Sequence, residues 1–165
     1  MRSYALLMVL FLSFVSCKST KRNTVITKKE APAKTLKHSI AKAVIGNAME
    51  FKGVRYKFGG TDRKGMDCSG LVYVSFKKEN IELPRISRDM AKKGSSISLN
   101  KVNEGDLLFF KTSKKRSLIN HVGLVTKAKK GEIEFIHSTT SKGVISSSLS
   151  ETYWNKAFVE ARRIL

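Results

Sequence analysis

The chain has 165 residues, a length typical of one domain built around a single hydrophobic core. Lys and Arg number 32 against 13 Asp and Glu, and the resulting net charge of +19 predicts an anionic environment or a demand for solubility. Two cysteines and three histidines, none of them closely paired, argue against a structural zinc site, which needs four ligands at characteristic spacings.

The N-terminus carries an export signal. Arg2 precedes an apolar run over residues 4–15, which is shorter than the ~20 residues of a membrane-spanning helix but suits the core of a secretory signal. Phe14-Val15-Ser16-Cys17 resembles the lipobox of bacterial lipoproteins, in which cleavage makes the lipidated cysteine the new N-terminus. We therefore predict a signal peptide over residues 1–16 and a lipid on Cys17. The alternative is an ordinary signal in which this cysteine is a coincidence.

These features predict a protein of the cell envelope, anchored by lipid to a bacterial membrane. In a Gram-negative cell that would be the outer membrane, on the side facing the periplasm. An export signal, together with the lack of a recognisable binding motif, argues against a nucleic-acid partner despite the charge.

Residues 17–35 are rich in Lys, Thr and Ser without apolar periodicity, and we predict a flexible basic tether there. The folded domain is predicted to cover residues 36–165. Apolar residues at 36, 40, 44, 48 and 51 then indicate an amphipathic helix that ends near Gly53. His38 lies outside this apolar stripe and is predicted to be a surface residue.

A second helix is predicted to begin at Asp67 or Cys68 and to stop before Asn80, and a short third helix covers residues 87–93. The second half of the chain changes to the pattern of strands. Five segments are predicted to be strands, namely 105–110, 121–126, 132–137, 143–145 and 158–164. Helices followed by strands predict an α+β domain, with the N-terminal helices packed on an antiparallel sheet of five or six strands.

Cys68 is the candidate nucleophile. If Cys17 carries lipid, Cys68 has no disulfide partner within the chain. The free N–H groups and positive dipole at a helix N-terminus stabilise a thiolate, which is the attacking species. The alternative is that Cys68 is a small buried core residue, as free cysteines often are.

Two of the three histidines follow Cys68 in the chain. His121 starts one predicted strand and His137 ends the next, and residues 129–131 favour a hairpin between them. In an antiparallel hairpin the start of one strand lies beside the end of the other, so the two imidazoles are expected to be neighbours. Each histidine alone would suit a structural hydrogen bond, but together with Cys68 they fit a nucleophile, its base and a residue that orients the base.

Ordered motifs across the predicted domain resemble the NlpC-type peptidoglycan endopeptidases, bacterial cysteine peptidases of papain-like fold. The segments that carry the resemblance are Tyr56-Lys57-Phe58-Gly59-Gly60, Met66-Asp67-Cys68-Ser69-Gly70-Leu71-Val72, Leu83-Pro84-Arg85-Ile86-Ser87, Gly105-Asp106-Leu107-Leu108-Phe109-Phe110 and His121-Val122-Gly123. The resemblance implies a papain-like fold and a thiol peptidase that needs neither a cofactor nor a metal.

The resemblance also implies a role for each site residue. Cys68 would be the nucleophile, His121 the general base and then acid, and His137 the residue that orients His121. Tyr56 would assist at the oxyanion. Asp67 and Ser69 would line the pocket for the stem peptide, whereas Arg85 is left between supporting the fold and lining the cleft.

The implied activity is hydrolysis of an amide bond in peptidoglycan stem peptides by a monomeric enzyme. The bond from D-Glu to the diamino acid is expected first, and the D-Ala cross-link is the alternative. Two rival functions remain open from the sequence: a non-catalytic envelope lipoprotein that binds a ligand in the same cleft, and a papain-like hydrolase or acyltransferase acting on another amide or ester.

Overall fold

The structure is a computed structural model that describes residues 32–113, 118–129 and 131–165. The predicted export signal, Cys17 and most of the predicted tether lie outside these residues, so the signal and the anchor stay predictions. Within the described ranges, no helix combines the length and apolar composition that crossing a membrane requires.

Four α-helices occur in the described part of the chain. They cover Pro32–Met49 (α1), Cys68–Lys77 (α2), Ser87–Met90 (α3) and Thr152–Ala157 (α4). Helix α1 begins at Pro32 rather than at Leu36, because proline suits the first helical turn, where its missing N–H is not needed. Leu36 was predicted to face the core but is 61% exposed, whereas Ala41, Val44 and Ala48 are buried. Only the C-terminal half of α1 therefore packs on the domain.

Eight strands form two sheets among the described residues. Thr61–Asp62 (β1) and Gly65–Met66 (β2) make a short hairpin just before Cys68. The main sheet contains Ser95–Ile97 (β3), Leu107–Phe110 (β4), His121–Lys129 (β5), Glu132–Thr139 (β6), Gly143–Ser148 (β7) and Phe158–Arg163 (β8). Its six strands are antiparallel and follow the order β3-β8-β4-β5-β6-β7. The predicted α+β class and the predicted strand number are confirmed.

Strand alternation gives the main sheet two apolar faces. Leu107 and Phe109 of β4 pack with α2 in one cluster, whereas Leu108 and Phe110 pack in a second cluster that includes Trp154 of α4. The sheet is thus covered on both faces, by α1 and α2 on one side and by α4 on the other.

One buried hydrogen bond ties the sheet to the segment that precedes α2. The hydroxyl of Ser138 donates to the carbonyl of Met66 over 2.8 Å, and the Ser138 side chain is only 1% exposed. Ser138 directly follows His137 on β6, and Met66 lies two residues before Cys68. This contact fixes the start of α2 against the strand that carries His137.

Candidate active site

Cys68 is the first residue of α2, and Asp67 caps this helix. A carboxylate oxygen of Asp67 accepts a hydrogen bond of 2.6 Å from the backbone N–H of Gly70, which satisfies one of the unpaired donors of the first turn. The Cys68 side chain is buried and lies in a core cluster with Val122. The local sequence Asp-Cys-Ser-Gly thus begins the helix at the thiol.

Backbone groups surround the sulfur of Cys68. Val122, Ser69 and Cys68 itself hydrogen bond to it, which favours the thiolate, but burial dominates and raises the pKa of the thiol to about 11. Asp67 adds to this rise in pKa through its negative charge. The contact with Val122 places the thiol beside the residue that follows His121.

His121 and His137 lie side by side, because β5 starts where β6 ends. Nε2 of His121 and Nδ1 of His137 are 2.9 Å apart, which is a hydrogen bond between two buried imidazoles. Burial lowers the pKa of His121 to about 4. Burial, and secondarily the charge of His121, lowers the pKa of His137 to about 3. Both rings are therefore neutral near pH 7.

Aromatic side chains enclose the histidine pair. The indole of Trp154 stacks on His121, with ring centres 5.2 Å apart and planes 23° apart. Two phenylalanines complete the enclosure. The ring centre of Phe110 lies 5.9 Å from that of His121, and the ring centre of Phe135 lies 4.7 Å from that of His137. The sequence did not indicate this role for Trp154, because residues 152–157 carried no recognisable helix signal and the contact is purely tertiary.

Asp67 also forms an ion pair with Arg85 on the other side of Cys68. The two guanidinium nitrogens of Arg85 lie 2.9 and 3.0 Å from the two carboxylate oxygens of Asp67, a bidentate arrangement. Arg85 also donates to the hydroxyl of Ser69 over 3.0 Å and to the carbonyl of Gly60 over 3.2 Å. The sequence left two roles open for Arg85, supporting the fold or lining the cleft. In the structure it does both, because it holds the start of α2 and lines the cleft.

The diglycine segment lets the chain approach the start of α2 closely. Gly59 has a φ of +72°, which favours glycine, and its N–H donates to Asp67 over 2.8 Å. A Cβ on Gly60 would collide with the carbonyl of Gly65. Tyr56, just before this turn, has its pKa raised by burial first and then by the negative charges of Cys68 and Asp67. These short contacts bring Tyr56 and Asp67 to the same cleft as Cys68.

The cleft encloses about 480 Å³ and reaches Cys68. It contains three of the residues predicted from the sequence besides Cys68, namely Tyr56, Asp67 and Ser69. The remaining lining residues are Phe58, Gly59, Arg85, Ile86, Ser87, Arg88, Ile119 and Asn120. Five of these lie inside the motifs and Arg88 and Asn120 directly flank one, and that position is the signal that could have found them.

Two further predictions concern residues away from the cleft. His38 is exposed on α1, so its predicted surface position is confirmed. Cys17 lies outside the described residues, and its lipidation stays a prediction. Among the residues that the structure describes, no group of three or more His, Cys, Asp or Glu side chains is placed to hold a metal ion.

Known proteins resemble this chain in sequence. The chain is 42% identical over 117 residues to the murein DD-endopeptidase MepS/murein LD-carboxypeptidase of Escherichia coli (strain K12), covering 70% of this chain and 58% of that protein. It is also 42% identical over 113 residues to a protein named "Probable endopeptidase NlpC" of the same strain, covering 68% of this chain and 70% of that protein. The chain thus spans less than two thirds of the length of the MepS relative.

A solved structure and a family model agree with these relatives. The crystal structure of an NlpC/P60 family protein from Bacillus cereus ATCC 10987 superposes with a TM-score of 0.69 at 27% identity, covering 76% of this chain and 40% of that one. The model of the NlpC/P60 family matches residues 53–163. As its sequence motifs predicted, the chain belongs to the NlpC/P60 family.

Proposed function

We propose that the protein is a cysteine endopeptidase that hydrolyses an amide bond in peptidoglycan stem peptides. The observation that carries the proposal is a chain of contacts that starts at the cleft: the thiol of Cys68 at the start of α2 is hydrogen-bonded to the backbone of Val122 on β5, and the preceding residue, His121, is hydrogen-bonded to His137. The murein endopeptidase activity in the name of the E. coli relative supports the choice of substrate.

In this proposal His121 takes the proton of the Cys68 thiol while the sulfur attacks the carbonyl carbon of the scissile amide. The tetrahedral intermediate carries a negative oxygen. It then collapses as His121 returns the proton to the leaving amine, which leaves a thioester on Cys68. Water attacks the thioester with His121 again as the base, and the products are a carboxylic acid and the free thiol.

The first turn of α2 and Tyr56 are proposed to stabilise the negative oxygen. The backbone N–H groups of Cys68 and Ser69 already point at the sulfur, so they are placed for a charge that develops next to it. The phenol of Tyr56 lines the same cleft. One such donor typically contributes ~3 kcal/mol to lowering the barrier.

Burial keeps both the Cys68 thiol and the His121 imidazole neutral in the resting enzyme. The pKa of the thiol, about 11, lies far above that of His121, about 4, so a neutral thiol faces a neutral imidazole near pH 7. Proton transfer then accompanies attack on the substrate, because separating the charges beforehand in the buried site would be costly.

Asp67 bears on the choice of bond. A peptidase that selects a free α-amine needs an available carboxylate, but both oxygens of Asp67 are bound by Arg85, Gly59 and Gly70. This pairing argues against selection of a free α-amine, and the DD-endopeptidase activity in the name of the E. coli relative points to a bond inside a cross-linked peptide. We therefore propose the D-Ala cross-link first and the bond from D-Glu to the diamino acid second, the reverse of the order expected from the family resemblance.

Product analysis tests the activity and the bond together. The full chain and its Cys68→Ala variant are incubated with purified cross-linked and uncross-linked muropeptides, and the products are identified by mass spectrometry. We expect monomers from cross-linked dimers with the wild type and none with Cys68→Ala. Intact muropeptides with the wild type would contradict the peptidoglycan proposal, leaving a binding protein or a hydrolase of another amide or ester. Cleavage by both proteins would contradict the role of Cys68.

We also propose that lipid on Cys17 holds the enzyme at the membrane of the cell envelope. An anchor would keep the basic domain close to the wall and raise its effective concentration there. In cells expressing the full chain, the wild type is expected in the membrane fraction and the Cys17→Ser variant in the soluble fraction. A Cys17→Ser protein that still fractionates with membranes would overturn the anchor.

A further inference from the structure

One ring nitrogen of His137, Nε2, is buried without a hydrogen-bond partner among the described residues. His137 is 0% exposed and its Nδ1 lies in the hydrogen bond with His121. Leaving a buried polar atom unpaired typically costs about 1–3 kcal/mol, so the surroundings of Nε2 need an explanation.

The indole of Trp154 covers this part of the pair. Ring nitrogens donate and accept in the plane of their own ring, so the 2.9 Å contact places Nδ1 of His137 close to the plane of His121, although the two rings stand at 89° to each other. Trp154 stacks within 23° of parallel on His121, and its ring centre lies 4.5 Å from that of His137, so one indole contacts both imidazoles. The His137 ring stands at 85° to the indole with ring centres 4.5 Å apart, and so turns an edge toward the indole face.

The hydrogen bond between the imidazoles can hold its proton in two ways. If Nε2 of His121 donates, Nδ1 of His121 is free to accept a proton from Cys68, and the proton of neutral His137 lies on Nε2. If Nδ1 of His137 donates instead, neutral His121 carries its proton on Nδ1, so it cannot act as a base, and Nε2 of His137 presents a lone pair. The free nitrogen of His137 thus reports which arrangement is present.

We propose that Trp154 is a positioning residue that selects the base-competent arrangement by offering its π face to the Nε2–H of His137. An aromatic face carries partial negative charge, so it attracts an N–H and repels a lone pair. Phe135, 4.7 Å from His137, adds a second aromatic surface with the same preference. The inference rests on the proposed function only for its consequence in catalysis, since the tautomer itself is a property of the resting protein.

An aromatic partner has an advantage over a carboxylate at this position. A carboxylate would also fix the proton on Nε2, but its charge would favour a protonated His137. The indole orients the pair without adding charge, consistent with the lowered pKa values of both histidines.

The ¹⁵N chemical shifts of the histidine ring nitrogens test the proposal without any substrate. In long-range ¹H–¹⁵N spectra of the full chain near pH 7, we expect protonated Nε2 in both His121 and His137. In Trp154→Leu we expect a mixture of tautomers, whereas Trp154→Phe keeps an aromatic face and the wild-type pattern. Phe158→Leu is the matched control, because Phe158 joins the same cluster through Phe110, with ring centres 6.2 Å apart, and among the described residues it makes no ring contact with either histidine.

Two outcomes would overturn the proposal: a wild-type tautomer pattern in Trp154→Leu, or an equal change in Phe158→Leu. If Trp154→Leu does not fold by circular dichroism, Trp154→Met replaces it with a longer and more flexible apolar side chain and the same expectation. On muropeptides, kcat of Trp154→Leu is expected to fall about tenfold with KM nearly unchanged, because fewer molecules hold a competent base. An inactive wild type would contradict the proposed function alone, since the tautomer measurement needs no substrate.

Discussion

Cys68 lies between two regions of opposite chemistry. On one side Asp67, Arg85 and Ser69 form a charged and hydrogen-bonded network at the cleft. On the other side the imidazoles of His121 and His137 meet aromatic rings. The first region is held by an ion pair, whereas the second is held by stacking and by one hydrogen bond between neutral rings.

The contrast shows how one small site separates two tasks. The ion pair fixes the start of α2 and the wall of the cleft, where charge is useful for shape and for binding. The aromatic side buries the base away from charge, so the pKa of His121 stays low and its ring is unprotonated at neutral pH. Each region can be altered separately, and the following predictions do so.

The largest expected effect follows from removing the base. His121→Gln keeps a polar side chain of similar reach but cannot take the thiol proton, and we expect kcat/KM on muropeptides to fall about 10²–10⁴-fold. His38→Gln makes the same change at the exposed histidine of α1 and should leave the rate unchanged. Circular dichroism should show both variants folded, and a His121→Gln rate within tenfold of the wild type would contradict the role of His121.

The aromatic side should also make folding stability sensitive to acid. Above pH 6.5 both buried histidines are neutral whether the chain is folded or unfolded. Below it the unfolded chain binds protons that the folded chain excludes until about pH 4 at His121 and about pH 3 at His137. As the pH is lowered, the free energy of unfolding should therefore decrease by up to about 1.4 kcal/mol per pH unit for each histidine.

Urea denaturation between pH 6.5 and pH 5 measures this slope before most carboxylates titrate. In His137→Asn one of the two buried imidazoles is gone, so the slope attributed to the pair should fall by about half. An unchanged slope would mean that the histidines are not the source of the acid sensitivity.

The two regions also differ in how far the sequence predicted them. Asp67, Ser69 and Arg85 lie in or beside short motifs, so their place at the cleft followed from local sequence, although the ion pair between Asp67 and Arg85 did not. His121 and His137 became neighbours through the predicted hairpin, which the register of β5 with β6 confirms. Trp154 could not be placed, because its contacts depend on how α4 packs on the far face of the sheet.

Strand β3 was missed for a similar reason. Ser95–Ile97 is short, mostly exposed and polar, and it forms only by pairing with Ala161 to Arg163 of β8. Long-range pairing of this kind overrides local propensity, whereas β4 and β5 were predicted because their own apolar runs require burial. The hairpin of β1 and β2 is likewise too short to give a periodic signal.

The smallest expected effect concerns the charged side. Arg85→Met keeps the length and apolar stem of the side chain but leaves Asp67, which is 8% exposed, without its bidentate partner. We expect the free energy of unfolding to fall by about 2–3 kcal/mol, because the carboxylate keeps only its bonds to Gly59, Gly70 and Ser69.

Arg88→Met is the matched control, since Arg88 lines the same cleft but is exposed, and its stability should change by less than about 0.5 kcal/mol. Urea denaturation at pH 7 compares the two variants with the wild type. Equal losses in both would mean that Arg85 stabilises the fold through general charge rather than through Asp67. A loss confined to Arg85→Met, with the tautomer of His121 unchanged, would establish that the two sides of Cys68 are built independently.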